Sequence, residues 1–194
     1  CSFIDLIAVG ESERNIHMIV EYLFGERKPN NIPGIVYRKN GRILCNAEED
    51  SMLDLQQLHK FNYDLVPYMH ELDQIDIEGG RGCPFSCVFC STKTFWKSNF
   101  RLKENMILIR EIGELKNKYD IRRFNIVHDL FTANKSKIIE FCDLVIENQL
   151  DIVWGCSARI DTIDEDIAMR LKWSGCDQIY FGIETGSMRM QKLI

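Results

Sequence analysis

The strongest constraint on this chain is a group of three cysteines, Cys83, Cys87 and Cys90, at the spacing C-x3-C-x2-C. The nearest other cysteines are Cys45 and Cys142, so the three form an isolated group. Thiolates hold iron–sulfur clusters, and four thiolates are usual. Three thiolates this close together would hold three irons of a four-iron cluster and leave the fourth iron open. The spacing therefore predicts a [4Fe–4S] cluster whose open iron binds a small molecule.

The residues around these cysteines suit a cluster. Neighbouring glycines let the backbone approach it closely, and Pro84 fixes a turn after the first ligand. Three apolar side chains would limit solvent access; they are Phe85, Val88 and Phe89.

Other cysteine sites agree less well with this stretch. A zinc knot needs a fourth ligand, and no His or Cys follows at a suitable spacing. A bacterial ferredoxin repeat has the spacing C-x2-C-x2-C, which differs from the spacing here. Burial as an ordinary apolar side chain remains the alternative for any single one of the three cysteines.

The composition is that of a globular chain. Hydrophobic residues make up 45% of the 194 residues and charged residues 27%. The net charge of −5 gives no basic surface for nucleic acid, and no apolar run of about eighteen residues predicts a membrane span. Five single cysteines are each predicted to be small buried side chains: Cys1, Cys45, Cys142, Cys156 and Cys176. A reduced, cytoplasmic protein is predicted rather than a disulfide scaffold.

The first part of the chain predicts a strand, a helix and a hairpin. The apolar run Phe3–Val9 predicts a buried strand, and Glu11–Phe24 has apolar residues at helical spacing. Asn40-Gly41 separates two strand-like segments and predicts a tight hairpin turn. A connector follows, with one helical turn predicted near residues 53–58.

From Ile75 onward the pattern alternates between strands and helices, which predicts an α/β fold with a parallel sheet or barrel. The predicted strands begin near residue 75 and at 123–127, 152–155 and 178–183; helices are predicted at about 104–119, around 138–145 and after 162–165. The last helix begins at a predicted capping box. The apolar residues Ile179, Phe181 and Ile183 of the fourth strand are predicted to be buried.

In such folds the chemistry lies on the loops after the strand carboxyl ends. This rule selects the cysteine loop and three further segments: His128 to Thr132, Cys156 to Asp161, and Glu184 to Ser187. The alternatives are structural. Asp129 and Asp161 are candidates for helix caps, and Arg159 and Glu184 are candidates for a salt bridge across the mouth of the barrel.

The stretch Arg81 to Cys90, with Asp129-Leu130-Phe131-Thr132 and Phe181-Gly182-Ile183-Glu184-Thr185-Gly186-Ser187, resembles the radical SAM enzymes. The resemblance implies a partial TIM-like barrel of about four βα units. It also implies that the three cysteines bind a [4Fe–4S] cluster and that S-adenosylmethionine (SAM) chelates the fourth iron. Further SAM contacts are implied for five residues: Phe89 beside the adenine, Asp129 at the amino group, Glu184 at the ribose, and Ser157 and Arg159 at the carboxylate.

The chain resembles in particular the cobalamin-binding subgroup of that family. Two acids often end the second strand there, whereas His128 takes the first position here, which leaves Asp129 as the SAM contact. The cobalamin-ligand pattern D-x-H-x-x-G is absent. The resemblance implies a fragment with three parts: 1–25 as the remnant of a cobalamin-binding-like domain, 26–73 as hairpin and connector, and 74–194 as the first part of the barrel.

The implied reaction is reductive cleavage of SAM to a 5′-deoxyadenosyl radical, with an electron donor such as flavodoxin or ferredoxin. A cobalamin-dependent methyl transfer is implied for a full-length protein, whereas the fragment alone is expected to be inactive in turnover and to self-associate through exposed strand edges. Two other functions remain open: a methylthiotransferase-like radical SAM enzyme and an electron-transfer iron–sulfur protein. The sequence identifies neither the substrate nor catalytic residues.

Overall fold

The computed structural model describes residues 3–48 and 52–193. The chain forms two compact units, residues 1–54 and residues 55–194. Cys1, which is predicted to be buried, lies outside the described residues. No helix of the described segments is both long enough and apolar enough to cross a membrane.

The first unit is a small antiparallel sheet with one helix. Its elements are β1 (Leu6–Ala8), α1 (Ile16–Leu23), β2 (Ile35–Lys39) and β3 (Arg42–Cys45), and the strand order is β1-β2-β3. The hairpin prediction is confirmed, because β2 and β3 pair around Asn40 and Gly41, whose φ angles are 50° and 75°. Positive φ at both positions is what a type I′ turn requires.

The prediction of a buried first strand is wrong. Only Leu6–Ala8 are in a strand, and Ile7 is 47% exposed. Among the described residues of this unit the buried core is too small to cover both faces of the sheet, since it consists of Ile19, Ile32, Ile35 and Tyr37. The helix also begins later than predicted, at Ile16, after a 3-10 turn at Ser12–Arg14.

The sheet of the first unit runs across a predicted domain boundary. β1 lies in the predicted segment 1–25 and β2 in the segment 26–73, yet the two strands are paired from Leu6↔Tyr37 to Ala8↔Ile35. Both strands therefore belong to the same compact unit, and the boundary between the two units lies between residues 54 and 55. The origin of residues 1–25 from a cobalamin-binding-like domain stays a prediction.

The second unit confirms the predicted α/β architecture. After three 3-10 turns it contains β4 (Gln74–Glu78), β5 (Gly80–Arg81), α2 (Thr92–Phe95), β6 (Arg101–Leu102), α3 (Asn105–Tyr119), β7 (Arg123–Val127), α4 (Lys135–Glu147), β8 (Val153–Ala158), α5 (Glu165–Trp173), β9 (Cys176–Phe181) and α6 (Met188–Gln191). Strands β4, β7, β8 and β9 form one parallel sheet in that order. Sequential βα units in this order form part of a TIM-like barrel.

The helix predictions are close, but the capping box at 162–165 is wrong. Asp164 is the N-cap of α5, and its side chain accepts a hydrogen bond of 2.9 Å from the amide of Ile167. The hydroxyl of Thr162 instead donates to the carbonyl of Arg159 at 2.7 Å. The helix therefore begins two residues later than the box predicts. β9 begins and ends two residues earlier than predicted, at Cys176 and Phe181.

The core of the second unit forms between the sheet and helices α3, α4 and α5. Trp154 on β8 is fully buried and lies edge-on to Phe141 of α4, with ring centroids 5.0 Å apart. Its indole N–H donates to the carbonyl of Ser174 at 3.0 Å, so its one polar group is satisfied. This residue fixes the distance between β8 and the helices behind it.

The single cysteines differ in burial. Cys142 and Cys156 are buried in this core, as predicted. Cys176 is half-buried, and its thiol points to the carbonyl of Gln178 at 3.6 Å. Cys45 is exposed on β3, so the prediction of its burial is wrong.

Truncation of Phe141 tests the core. We expect Phe141→Ala to lower the free energy of unfolding by about 3–5 kcal/mol, because it opens a cavity beside Trp154. Trp173→Ala is the matched control, since Trp173 lies on α5 but is 61% exposed, and we expect a change within about 0.5 kcal/mol. Urea denaturation followed by circular dichroism measures both; equal losses in the two variants would contradict this assignment of the core.

The outer strand β9 and the residues just after it leave apolar side chains exposed, contrary to the prediction of burial. Ile179 is half-buried, Phe181 is 41% exposed and Ile183 is 59% exposed. Among the described residues, β9 pairs only with β8. An unpaired strand edge of this kind favours pairing with another chain.

We expect the chain to self-associate through β9 at micromolar concentration. Tyr180 is 53% exposed on this strand, and Tyr180→Lys should shift the chain toward the monomer because a charged edge opposes pairing. Tyr68→Lys is the control, since Tyr68 is 66% exposed but lies outside any strand. Light scattering measures the mass, and a monodisperse wild-type monomer of 22.7 kDa would refute the expectation.

Candidate cluster and SAM site

The carboxyl ends of four parallel strands define one edge of the sheet in the second unit. These strands end at Glu78, Val127, Ala158 and Phe181. The sequence-predicted residues lie at or shortly after these four ends. The structure therefore places the cysteine loop, Asp129, the region around Arg159 and the segment of Glu184 at the same edge of the sheet.

The cysteine loop is the long connection of a short antiparallel ladder. β5 and β6 pair as Gly80↔Leu102 and Arg81↔Arg101, and residues 82–100 form the loop between them. Gly82 begins this loop with φ of 86°, and a β-carbon there would lie 1.8 Å from the carbonyl oxygen of Asn99. Only glycine fits where the two ends of the loop approach each other this closely.

An arginine anchors the base of the loop. Arg81 is buried, and its Nε donates to Glu78 Oε1 at 2.6 Å. Its guanidinium lies 5.7 Å from the ring centroid of Trp96, and the guanidinium of Arg101 lies 5.8 Å from the same ring. These contacts hold the end of β4, the ladder and the far side of the loop together.

The three motif cysteines lie close enough to one another to interact electrostatically. Cys83 and Cys87 are half-buried and Cys90 is exposed. Burial raises the pKa of the Cys83 thiol, and the neighbouring Cys87, Asp129 and Cys90 raise it further, against a hydrogen bond from the backbone of Phe85. Binding of iron would replace these thiol protons.

The donor set fits a cluster better than a single metal ion. Within residues 3–48 and 52–193, no three His, Cys, Asp or Glu side chains converge on one ion position. The thiolates of a four-iron cluster bind different irons and so need not converge on one point, whereas a closed zinc site needs four ligands around one ion. Three thiolates from one loop meet the first requirement.

Asp129 joins the end of β7 to the cysteine loop. Its Oδ2 accepts a hydrogen bond of 2.8 Å from the amide of Gly82, and its Oδ1 accepts one of 3.3 Å from the hydroxyl of Thr92. The alternative that Asp129 caps a helix is wrong, because the cap of α4 is Asn134. Thr92 has no signal in the sequence, since it lies outside the motif and only the folded loop brings it to Asp129.

His128, beside Asp129, is a buried neutral side chain. Its Nδ1 accepts a hydrogen bond of 2.9 Å from the amide of Leu130, and its ring lies edge-on to Phe100 at 5.4 Å. Burial lowers the pKa of His128, although the charge of Asp129 and, to a smaller extent, nearby backbone groups act in the opposite direction. Its Nε2 is buried and makes no hydrogen bond of normal geometry within the described structure.

Arg159 reaches from the end of β8 to the cysteine loop. Its guanidinium carbon lies 3.9 Å from the ring centroid of Phe85, and its Nη1 lies 3.6 Å from the sulfur of Cys87. Nε and Nη2 donate to the two carboxylate oxygens of Asp161 at 2.9 and 2.8 Å. Asp161 is therefore an ion-pair partner rather than a helix cap, and the predicted salt bridge between Arg159 and Glu184 is replaced by this local pair.

Three further candidates lie at the same edge without joining this network. Phe89 is 54% exposed, Ser157 is half-buried on β8, and Glu184 is exposed. No hydrogen bond among the described residues links them to Asp129 or Arg159. Glu184 adopts φ of 61°, and its carboxylate lies back over Gly182, where an added β-carbon would be 2.8 Å from Oε1.

Replacement of Gly82 tests the geometry of the loop. Gly82→Ala should displace the loop from Asn99 and lower the free energy of unfolding by at least about 1 kcal/mol, because both the positive φ and the close approach disfavour a β-carbon. Gly186→Ala is the matched control, because an added β-carbon there meets no atom within 4 Å. Anaerobic uptake of iron and sulfide should fall severalfold in the first variant only; normal uptake by Gly82→Ala would contradict the geometry.

The sequence matches the profile of the Radical SAM superfamily over residues 77–194. The match contains the cysteine loop and all the strand ends that carry the candidate site. It covers more than half of the chain.

The chain is also similar over its length to larger proteins. An uncharacterized methyltransferase from Pyrococcus horikoshii is 31% identical over 202 aligned residues, which cover 100% of this chain and 43% of the relative. The anaerobic magnesium-protoporphyrin IX monomethyl ester cyclase of Rubrivivax gelatinosus is 26% identical, over 95% of this chain and 35% of the relative.

Two solved structures share the fold. The cobalamin-dependent SAM radical enzyme OxsB, with aqua-cobalamin and SAM bound, aligns with a TM-score of 0.74 at 20% identity, over 96% of this chain and 29% of that chain. The radical SAM methyltransferase TsrM from Kitasatospora setae, with tryptophan and a SAM analogue bound, aligns with a TM-score of 0.77 at 13% identity, over 96% of this chain and 38% of that chain. The chain thus spans well under half the length of these proteins. Its sequence match, its cysteine loop and its fold agree, and the chain belongs to the radical SAM superfamily, whose enzymes use a [4Fe–4S] cluster and SAM.

Proposed function

We propose that Cys83, Cys87 and Cys90 hold a [4Fe–4S] cluster and that SAM binds its open iron, within an enzyme of the cobalamin-dependent methyltransferase type. The observation that carries this proposal is the attachment of the cysteine loop to two strand ends. Asp129 of the β7 end accepts from Gly82, and Arg159 of the β8 end reaches Cys87. A loop held this way is preorganised for a cofactor at the mouth of the barrel.

Cys83, Cys87 and Cys90 would hold the cluster, which would supply the one-electron chemistry of reductive SAM cleavage to methionine and a 5′-deoxyadenosyl radical. A flavodoxin- or ferredoxin-type donor would provide the electron. The chain's own residues supply position and shelter for this chemistry. Phe89 offers an aromatic face for adenine, and Ser157 offers a hydroxyl for the methionine carboxylate. Asp129, beside the loop, would accept a hydrogen bond from the SAM amino group.

Glu184 is proposed as the contact to the SAM ribose. Its backbone has a φ of 61°, in the left-handed region that a side chain other than glycine adopts only at a cost. Strained residues of this kind concentrate at ligand sites. The exposed carboxylate at the end of β9 is free to turn from Gly182 toward a bound ribose.

The methyltransferase type is favoured by the relatives, several of which are methyltransferases, and by the two cobalamin-dependent or methyltransferase structures that share the fold. The chain itself lacks the pattern D-x-H-x-x-G, so we place any corrin ligand outside these 194 residues. The whole-protein reaction, its substrate and its electron donor are part of the proposal.

A methylthiotransferase-like function is the second candidate. A putative methylthiotransferase from Methanocaldococcus jannaschii is 25% identical over 97% of this chain. To separate the two candidate functions, a longer protein that contains this chain is incubated with hydroxocobalamin and methyl-labelled SAM. Labelled methylcobalamin should form only if the reaction is cobalamin-dependent.

Anaerobic reconstitution tests the cluster and SAM together. The chain should take up about four irons and four sulfides, and a triple Cys83→Ala, Cys87→Ala and Cys90→Ala variant should take up neither as a cluster. A matched triple variant at the remaining described cysteines of the second unit, Cys142→Ala, Cys156→Ala and Cys176→Ala, should keep the uptake if it folds.

SAM should then change the EPR spectrum of the reduced cluster. An electron-transfer protein with four thiolate ligands would show no change, so an unaltered spectrum would refute the SAM site while leaving the cluster in place. Equal cluster uptake by the Cys83, Cys87 and Cys90 variant would refute the ligand assignment itself.

A further inference from the structure

Arg159 uses three separate parts of its guanidinium for three contacts. Nε and Nη2 bind the Asp161 carboxylate, Nη1 points at the sulfur of Cys87, and the planar face lies on Phe85. Because the donors differ, all three contacts are made at once. Two of the three partners, Phe85 and Cys87, belong to the cysteine loop, whereas Asp161 follows β8.

The pair with Asp161 fixes the direction in which Nη1 points. A guanidinium is planar and permanently charged, so a two-point bond to a carboxylate sets the orientation of its remaining N–H groups. The ring of Phe85 prevents rotation out of that plane and adds a cation–π contact. The side chain of Arg159 is 35% exposed and that of its partner Asp161 is 54% exposed, so water screens the positive charge less than it screens the negative charge.

A positive charge at this distance has a defined effect on a cluster. Hydrogen bonds to the sulfurs and net charge help to set the reduction potential of iron–sulfur clusters. Reduction adds one negative charge to the cluster and its thiolates. A fixed cation that donates to one of those thiolates stabilises the reduced state more than the oxidised state and so raises the potential.

We propose that Arg159 is a positioning residue that holds the cysteine loop and raises the reduction potential of the cluster through Cys87, rather than a ligand of the SAM carboxylate. This inference rests on the proposed cluster. It assigns a role to Asp161 as well, which orients the guanidinium. The donors of Arg159 that face Asp161 are occupied, and Nη1 is directed at the cysteine sulfur.

The test compares Arg159→Gln and Arg159→Lys with wild type and with Arg123→Gln. Arg123 is the control because it also forms an ion pair with an aspartate, but at the opposite end of the sheet: its Nη1 donates to both carboxylate oxygens of Asp177, at 3.0 and 2.9 Å. Iron and sulfide content is measured first, and the reduced fraction is then followed by EPR during an anaerobic redox titration. SAM affinity is measured separately on the same samples.

With equal cluster content, Arg159→Gln should lower the ratio of reduced to oxidised cluster at a fixed potential about tenfold, which for a one-electron couple corresponds to about 59 mV. Arg159→Lys keeps the positive charge but loses the planar guanidinium that binds Asp161 at two points. Its ratio of reduced to oxidised cluster should therefore lie between those of Arg159→Gln and wild type. Arg123→Gln should match wild type. A purely structural role for Arg159 would leave the potential unchanged.

One result would overturn the inference while leaving the proposed cluster intact: a wild-type potential in Arg159→Gln at equal cluster content. If the SAM affinity of that variant were also at least tenfold weaker, Arg159 would instead be assigned to the SAM carboxylate. Failure of the wild-type chain to bind iron and sulfide would refute the proposed function and this inference together.

A second measurement applies if the Arg159→Gln variant folds but does not take up the cluster. In the cluster-free chain, amide hydrogen exchange of residues 85–90 should be several times faster in Arg159→Gln than in Arg123→Gln, because the loop loses its attachment to β8. Equal exchange in the two variants would overturn the positioning role without any cluster present.

Discussion

The hydrogen bond from the amide of Gly82 to the carboxylate of Asp129 is the interaction on which the site depends. It connects the first residue of the cysteine loop to the end of β7 and so holds this long loop at the carboxyl edge of the parallel sheet. Without a side chain on Gly82, the loop can enter against Asn99. The position of all three cysteines follows from this entry point, because they lie within the next eight residues.

The sequence predicts most of the second unit because its signals are local. Apolar residues at helical spacing predict α3, with Leu108, Ile112 and Leu115 buried as expected. β7 runs from Arg123 to Val127, as the pattern predicts. The ligand spacing is local as well, since three cysteines in one short loop need no tertiary information to be recognised.

The partners of the site residues are less predictable because they depend on distant segments. Nothing in the sequence around Thr92 indicates a bond to Asp129, and nothing around Cys87 indicates the guanidinium of Arg159. The Arg159–Asp161 pair is a local feature that could have been foreseen from two opposite charges two residues apart after a strand. The prediction of a buried strand in the first unit is wrong for a different reason. Apolar residues predict burial, but the described core of this unit covers only part of its apolar side chains.

Glu184 has a consequence for attempts to stabilise this protein. Its left-handed backbone costs about 1–2 kcal/mol for a residue with a β-carbon, so Glu184→Gly should raise the melting temperature. A directed-evolution screen for heat tolerance alone would therefore favour a substitution that deletes a candidate cofactor contact. Any such screen of this fold should be paired with a ligand-binding selection, because one substitution at Glu184 removes both the β-carbon that strains the backbone and the carboxylate proposed to contact the ligand.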